Sequence, residues 1–577
     1  MEQKYEFSLV WPDYNVGKEY ERKAKTGEGR AFNVDVMARD INVDMIMSGM
    51  DIRNESRGYI RDRLVDMVID YEVIKYRQEI LRDFMKYPEI EERFDTTLLP
   101  AINNLRKMEK ANIAHDDNLR QIAWRIDMLR IYVQCIEVLY DLFVYGDKQF
   151  ESRGMLQFQE MIRELYASDS FTELRKVLPD FYDKLLSMKS VTIGINLSSE
   201  LKAEEAIILS VNEKSFKRKG VMTSILGLRS NEETYSGLSP FFSILKESKA
   251  NSLDVAIMRE LDSVLGDSFK NIAFTLNRYE WIETRFLFEL LPEVYFYIGG
   301  SRFARALTKA GMPVCFPLPR PADDRVFIVK DLYDAGFALR ILCDTDIENL
   351  DSIVVMNDAE MSDKMGRIFI LTGANQGGKT TYTRAVGIAQ MLFQTGYPIP
   401  GSSGEMSPVD NILTHFPELE TNSLSESRLG EECVRFEEIL PRLTKYSMIL
   451  MNESLSSTSH QECLFIAEEI MKYMRTVGVR CVFATHIHEL AEDIPELNKE
   501  PALSDLVSMV AGVNEDEDIE VLTAEGKMKY QGSKRTYLIR PMPPQGKSFA
   551  LDIARTYGIT YDQLMQAHKS RKKDVNE

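Results

Sequence analysis

The run Gly373-Ala374-Asn375-Gln376-Gly377-Gly378-Lys379-Thr380 has the residue types and the spacing to hold a polyphosphate. It satisfies G-x-x-x-x-G-K-[ST] in full. Glycines let backbone N–H groups converge on phosphate oxygens with no Cβ in the way. The positive end of a helix starting there adds to the attraction. In such a loop Lys379 neutralises β- and γ-phosphate charge, and the Thr380 hydroxyl ligates Mg2+. The flanks suit the motif: Arg367-Ile368-Phe369-Ile370-Leu371-Thr372 reads as a strand, and Tyr382 to Phe393 as a helix. A purine-nucleotide site is predicted.

Two more strand ends carry chemistry. Ser447-Met448-Ile449-Leu450-Met451 is apolar and runs into Asn452-Glu453. In ATPases with this glycine loop, an Asp at the first position holds Mg2+ through water, and a following Glu polarises the attacking water. Here Asn452 offers an amide oxygen without charge, and Glu453 is the candidate base. A third run, Arg480-Cys481-Val482-Phe483-Ala484-Thr485, ends at His486. A histidine at the carboxyl end of a parallel strand faces the nucleotide crevice, where it can sense the γ-phosphate by hydrogen bonding.

Strands alternating with helices beyond residue 321 predict an α/β domain with a largely parallel sheet. The preceding 310–321 holds four prolines and no period, which marks it as a domain boundary. Upstream the period is helical over about 59–87, 112–145, 151–167, 171–188 and 252–291, with short strands at 192–197 and 206–211. Residues 1–45 show no clear period. The expected layout is an N-terminal segment of unclear structure (1–45), a mainly α-helical domain with a small β-containing insertion (46–310), and an α/β P-loop domain (311–577).

At 577 residues the chain exceeds one hydrophobic core. Its net charge of −19 repels nucleic acid and anionic membrane overall, so any nucleic-acid contact needs a local basic patch such as Lys214, Lys217, Arg218 and Lys219. A solvated loop is the other reading of that cluster. The six cysteines include no C-x-x-C pair, which argues against a zinc or redox motif. No membrane-spanning run or signal region is read, so the expected location is cytoplasmic.

Several motifs together resemble the MutS family. Gly373 through Thr380, with Thr381-Tyr382, is similar to its G-P-N-M-G-G-K-S-T-Y. Asn452-Glu453 with Ser457-Thr458-Ser459 resembles D-E-x-G-R-G-T-S-T, and Ala484-Thr485-His486-Ile487-His488-Glu489-Leu490 resembles A-T-H-x-H-E-L. Tyr397-Pro398-Ile399-Pro400 with Pro408-Val409-Asp410, and Ser548-Phe549-Ala550-Leu551-Asp552-Ile553-Ala554, are similar to two further family stretches. The resemblance implies an ATPase of the ABC type, using ATP and Mg2+, in which two domains pair and a signature segment of one completes the site of the other. Ser427-Arg428-Leu429-Gly430-Glu431-Glu432 keeps the first and last residues of that signature, so Ser427 is the candidate γ-phosphate contact in trans. The helical region resembles the family's lever helices, with a reduced clamp at 190–250.

The family's mismatch-wedge segment, G-x-F-Y/F-E, is not found near the N-terminus, and the usual mismatch readout is not expected. The resemblance therefore implies a homodimeric ATPase with clamp-like action on irregular DNA. Two alternatives stand beside it: an RNA- or ribosome-associated ATPase, and an ATP-binding switch acting on a protein partner.

Overall fold

The computed structural model describes residues 6–26, 32–52, 54–111, 118–146, 148–201, 203–215, 261, 272–276, 279, 284–345, 347, 349–374, 376–417, 428–455, 459–523, 526–544 and 559–565. They fall into two compact units, one drawn from 87–150 and 156–291, the other from 6–86, 151–155 and 292 onward.

In the first unit the amphipathic runs form helices Leu99–Ala111, Asn118–Phe143 and Asp169–Ser187. The long helix covers 26 described residues, about 39 Å, of the 112–145 stretch that its periodicity predicts; residues 112–117 lie outside the described residues. Its core is aromatic: the Phe143 ring meets Phe94, Phe150 and Phe158 at 5.0–6.2 Å between centroids. Ser168 caps the last helix by accepting a hydrogen bond from the Phe171 N–H at 3.3 Å. Beyond it, strands β1 (Ser190–Leu197) and β2 (Ala203–Asn212) pair as an antiparallel hairpin.

The second unit begins where the sequence shows no period. Helices Tyr14–Thr26, Val34–Asp40 and Val43–Ser48 form there, and Asn33 and Asn42 enter the last two in the left-handed conformation that asparagine tolerates. The helix expected over 59–87 is two helices, Asn54–Val65 and Tyr71–Lys86. The break has a local cause: the Asp70 carboxylate accepts the Glu72 N–H at 2.9 Å, and such capping competes with a continuous helix.

Short strands follow: β3 (Val314–Cys315), β4 (Leu318–Pro319), β5 (Phe327–Leu332) and β6 (Asn357–Met361). Then come β7 (Ile368–Gly373), β8 (Ile399–Pro400), β9 (Ser403–Met406) and β10 (Ile412–His415). The last are β11 (Met448–Asn452), β12 (Arg480–Ala484), β13 (Leu506–Thr523) and β14 (Gly526–Pro541). The proline-rich stretch 310–321 carries β3 and β4, paired with β8 and β9. A four-stranded sheet has the order β4-β9-β5-β6.

The six-stranded sheet has the order β10-β11-β12-β7-β13-β14, parallel except for the antiparallel edge strand β14. Strands β7, β10, β11 and β12 are buried at every residue, as strands covered on both faces must be. Ile368, Ile370, Ile449, Met451, Cys481 and Phe483 point to one face, against helices Arg428–Ile439 and His460–Val477. On the other face lies the nearly all-buried helix Lys379–Thr395, so close that a Cβ on Gly387 would come 2.6 Å from Leu450 Cδ1. That helix is tied to its surroundings by Gln394, whose amide donates to the Val68 and Val409 carbonyls and accepts the Val409 N–H. Among the described residues no helix is long and apolar enough to cross a membrane.

Arg480 opens β12 from full burial. Its guanidinium donates to the carbonyls of Ser407 and Pro408 at 2.9 Å each, and to those of Val326 and Tyr446 at 3.3 Å each. Burial pushes its pKa down to about 9, so it keeps its charge at neutral pH. Arg480→Met would take the donor from the Pro408 and Tyr446 carbonyls, while those of Val326 and Ser407 keep the Ser407 N–H and the Gln390 amide. The expected loss of stability is about 2–5 kcal/mol, read from the urea midpoint; a wild-type midpoint would contradict this role.

Candidate nucleotide-binding site

Parallel register brings the three chemistry-bearing strand ends to one edge. Leu371 of β7 pairs with Ala484 of β12, and Ala484 with Asn452 of β11. The glycine loop, Asn452-Glu453 and Thr485-His486 therefore leave the sheet side by side.

The glycine loop has the backbone that its sequence predicts. Gly373, Gln376 and Gly378 have φ of 124°, 59° and 93°. At Gly377 a Cβ would lie 2.8 Å from the Ala374 carbonyl oxygen, so only glycine fits there without displacement. Helix Lys379–Thr395 starts directly after Gly378 and aims its N-terminus into the loop. Lys379 is 5% exposed and donates to the carbonyls of Gly373 at 2.9 Å and Ala374 at 3.3 Å. Burial pushes its pKa down to about 8, opposed by the Glu453 carboxylate. Thr381 follows in the first turn and lines the same cleft, while Asn375 lies outside the described residues.

The Thr380 hydroxyl donates to Asn452 Oδ1 at 2.8 Å. A hydroxyl and an amide oxygen are thus adjacent at the mouth of the loop, both neutral oxygen donors of the kind a hard cation accepts. Among the described residues no three His, Cys, Asp or Glu side chains gather as a metal site. Magnesium, which keeps waters and takes phosphate oxygens as further ligands, suits so sparse a protein donor set.

Glu453 follows Asn452 with φ 51°, and Leu455 has φ 61°. For residues with a Cβ this left-handed conformation costs roughly 1–2 kcal/mol each, so the surroundings must hold it. The Glu453 N–H donates to the Ala484 carbonyl at 2.8 Å, and Glu453 Oε1 lies 3.5 Å from His486 Nε2. Burial, aided by the Lys379 ammonium, lowers the His486 pKa. The ring is held toward its neutral form, in which one nitrogen donates and the other accepts.

Glycine loop, Glu453 and a set of apolar side chains line one cleft of about 370 Å³. Tyr333, Phe337, Ile353, Val355 and Tyr537 give the cleft an apolar lining beside the loop. Tyr537 sits over the loop, 3.6 Å from where a Cβ on Gly378 would be. Asn357 fixes that strand by donating to the Tyr537 carbonyl and accepting the Ile539 N–H at 2.7 Å. Sequence reasoning missed these residues, which lie 16 to 40 positions before the loop or 157 beyond it and match no motif. The one local signal was Asp334, whose carboxylate caps helix Ala335–Asp344 at the Phe337 N–H.

Tyr397 and the 408–410 stretch are braces rather than ligands: Tyr397 is buried with its hydroxyl on the Phe296 carbonyl, and Val409 is bound by Gln394. Ser427, Ser457, Thr458, residues 548–554 and Lys217–Lys219 lie outside the described residues. Lys214, exposed, accepts a hydrogen bond at its carbonyl from the Ser190 hydroxyl.

Residues 369–540 match the family model described as MutS domain V, and residues 69–310 the one described as MutS2 N-terminal domain. The chain is 29% identical over 232 residues to the DNA mismatch repair protein MutS of Rhodopirellula baltica, covering 40% of this chain and 23% of that protein. To the protein of the same name from Chlorobium limicola it is 34% identical over 143 residues, 25% of this chain and 16% of that one. The chain thus spans less than a quarter of these curated relatives.

The Lys379 ammonium has a testable sign. In the free protein it loses its proton above a pH of about 8, and a bound polyphosphate raises its pKa, so binding takes up a proton above that pH. Affinity for ATP should fall by up to about tenfold per pH unit above about pH 8. Calorimetry in two buffers of different ionisation heat should show proton uptake at about pH 9 and little at about pH 7. Equal affinity and no uptake at both would contradict the assignment.

Proposed function

We propose that this chain, which belongs to the MutS family, is an ATPase that couples ATP binding at a dimer-completed site to a change in its grip on irregular DNA. The observation that carries the ATPase reading is the 2.8 Å contact between Thr380 and Asn452 with Glu453 directly after it, at the mouth of a full glycine loop.

In this reading the loop N–H groups from Gly373 to Thr381, with Asn375 among them, bind the phosphates, and Lys379 exchanges its carbonyl contacts for phosphate oxygens. Thr380, and Asn452 through water, would hold Mg2+, which neutralises phosphate charge when bound. Glu453 accepts a hydrogen bond from the attacking water and orients it, and His486 hydrogen-bonds on the γ-phosphate side. The apolar wall with Tyr333, Phe337 and Tyr537 takes the base. Ser427 of a second copy completes the site. The unit that holds the site (6–86, 151–155 and 292 onward) then acts on the helical unit of 87–150 and 156–291, whose region 190–250 serves as the clamp.

Asn452 favours one variation. An uncharged oxygen holds a cation less firmly than a carboxylate, which slows turnover and lets ATP binding itself act as the signal, toward DNA or a protein partner.

Two substitutions test the chemistry. Glu453→Gln should lower ATP hydrolysis by about 100-fold or more while ATP stays bound, trapping an ATP-bound dimer; normal turnover would remove Glu453 from its role. Asn452→Asp should tighten magnesium dependence and speed hydrolysis, and an unchanged rate would contradict the assignment. Binding to matched, mismatched and branched DNA and to structured RNA, each with and without Mg·ATP, tests the partner. Nucleotide-sensitive binding to irregular DNA is expected, and binding to none of them would point to a protein partner.

A further inference from the structure

The turn that aims Glu453 is anchored at three successive residues. The Glu453 N–H donates to the Ala484 carbonyl at 2.8 Å. The Ser454 hydroxyl donates to the His415 carbonyl at 3.0 Å, and its oxygen lies 2.7 Å from Nδ1 of the same histidine. With the serine proton already given to the carbonyl, Nδ1–H is the donor in the second contact. The third anchor is different in kind. The Leu455 N–H donates to a carboxylate oxygen of Glu432 at 2.6 Å. A carboxylate acceptor makes this charge-assisted bond stronger than the two neutral ones.

Glu432 stands on helix Arg428–Ile439, and that helix grips the same turn elsewhere. Its Phe436 ring stacks on His415 with centroids 4.1 Å apart and an angle of 11° between planes. Its Arg435 donates to the Phe416 carbonyl at 3.0 Å. The Leu455 side chain is 1% exposed and packs in the core with Phe436 and Ile439. Two left-handed residues on either side of Ser454 keep their conformation only while such contacts over-determine it. Without the acceptor at Leu455 the turn relaxes, and the Glu453 carboxylate is the side chain whose direction changes.

We infer that Glu432 is a positioning residue for hydrolysis: its carboxylate, bound to the Leu455 N–H, fixes the strained turn that directs Glu453 at the attacking water. The inference rests on the ATPase reading above. It assigns Glu432 no contact with nucleotide, so the bond affects turnover and leaves ATP binding to Lys379 and the glycine loop.

The test uses the full chain, with steady-state phosphate release and binding of a fluorescent ATP analogue. Glu432→Ala should lower kcat by about tenfold or more, with KM and analogue affinity within about twofold of wild type. Glu432→Gln keeps an oxygen that accepts the Leu455 N–H, and should restore kcat to within about threefold of wild type. Retained analogue binding and an unchanged melting temperature show that the variants fold; if Glu432→Ala does not, Ser454→Ala, which removes the neighbouring anchor, should show the same kcat-only loss. Wild-type kcat in Glu432→Ala would overturn the inference. So would equal losses in the Ala and Gln variants, or a rise in KM that accounts for the change. A wild-type protein that binds the analogue and releases no phosphate would instead sink the ATPase reading on which it rests.

Discussion

Parallel pairing of β11, β12 and β7 is the constraint on which the candidate site depends. In a parallel sheet every strand delivers its carboxyl end to the same edge, and register decides which residues meet there. With Asn452 opposite Ala484 and Ala484 opposite Leu371, the glycine loop, the Asn-Glu pair and the His486 turn emerge within side-chain reach of one another. A slip of one residue in β11 would turn Asn452 to the other face of the sheet and break its contact with Thr380. Burial of these strands at every residue makes such a slip costly, because both faces are packed against helices.

Around this edge the structure spends polar groups on rigidity. Lys379 turns back on the carbonyls of its own loop, Arg480 binds four carbonyls at the opposite end of β12, and Gln394 ties the loop helix to Val409 and to Val68. Asp40, near the start of the chain, accepts the Thr414 hydroxyl at 2.7 Å, while its carbonyl accepts from Arg384 on the loop helix. Residues 6–86 are therefore part of the unit that holds the site.

The backbone of the candidate site was legible because glycines at fixed spacing allow the positive φ of such a loop, and because fully buried strands announce themselves as apolar runs. The departure at Asn452 was legible too, as a residue type out of place. What could not be read has physical causes. Helices Val34–Asp40 and Val43–Ser48 begin at asparagines in left-handed conformation, which no propensity pattern marks. Asp66 to Asp70 interrupts a helical period whose apolar positions continue through Met67 and Val68, both buried. The apolar wall of the cleft comes from three distant stretches joined only by folding, and Glu432 resembled one residue of a signature until its bond to the Leu455 N–H was seen.

Equilibrium binding of ATP to the purified full chain in the presence of magnesium, beside the Lys379→Met variant, tests the central claim most directly. One nucleotide per chain, lost in the variant while its fold is kept, is the expected result. No saturable binding by the wild-type chain, or binding that survives removal of Lys379, would contradict the assignment of this cleft.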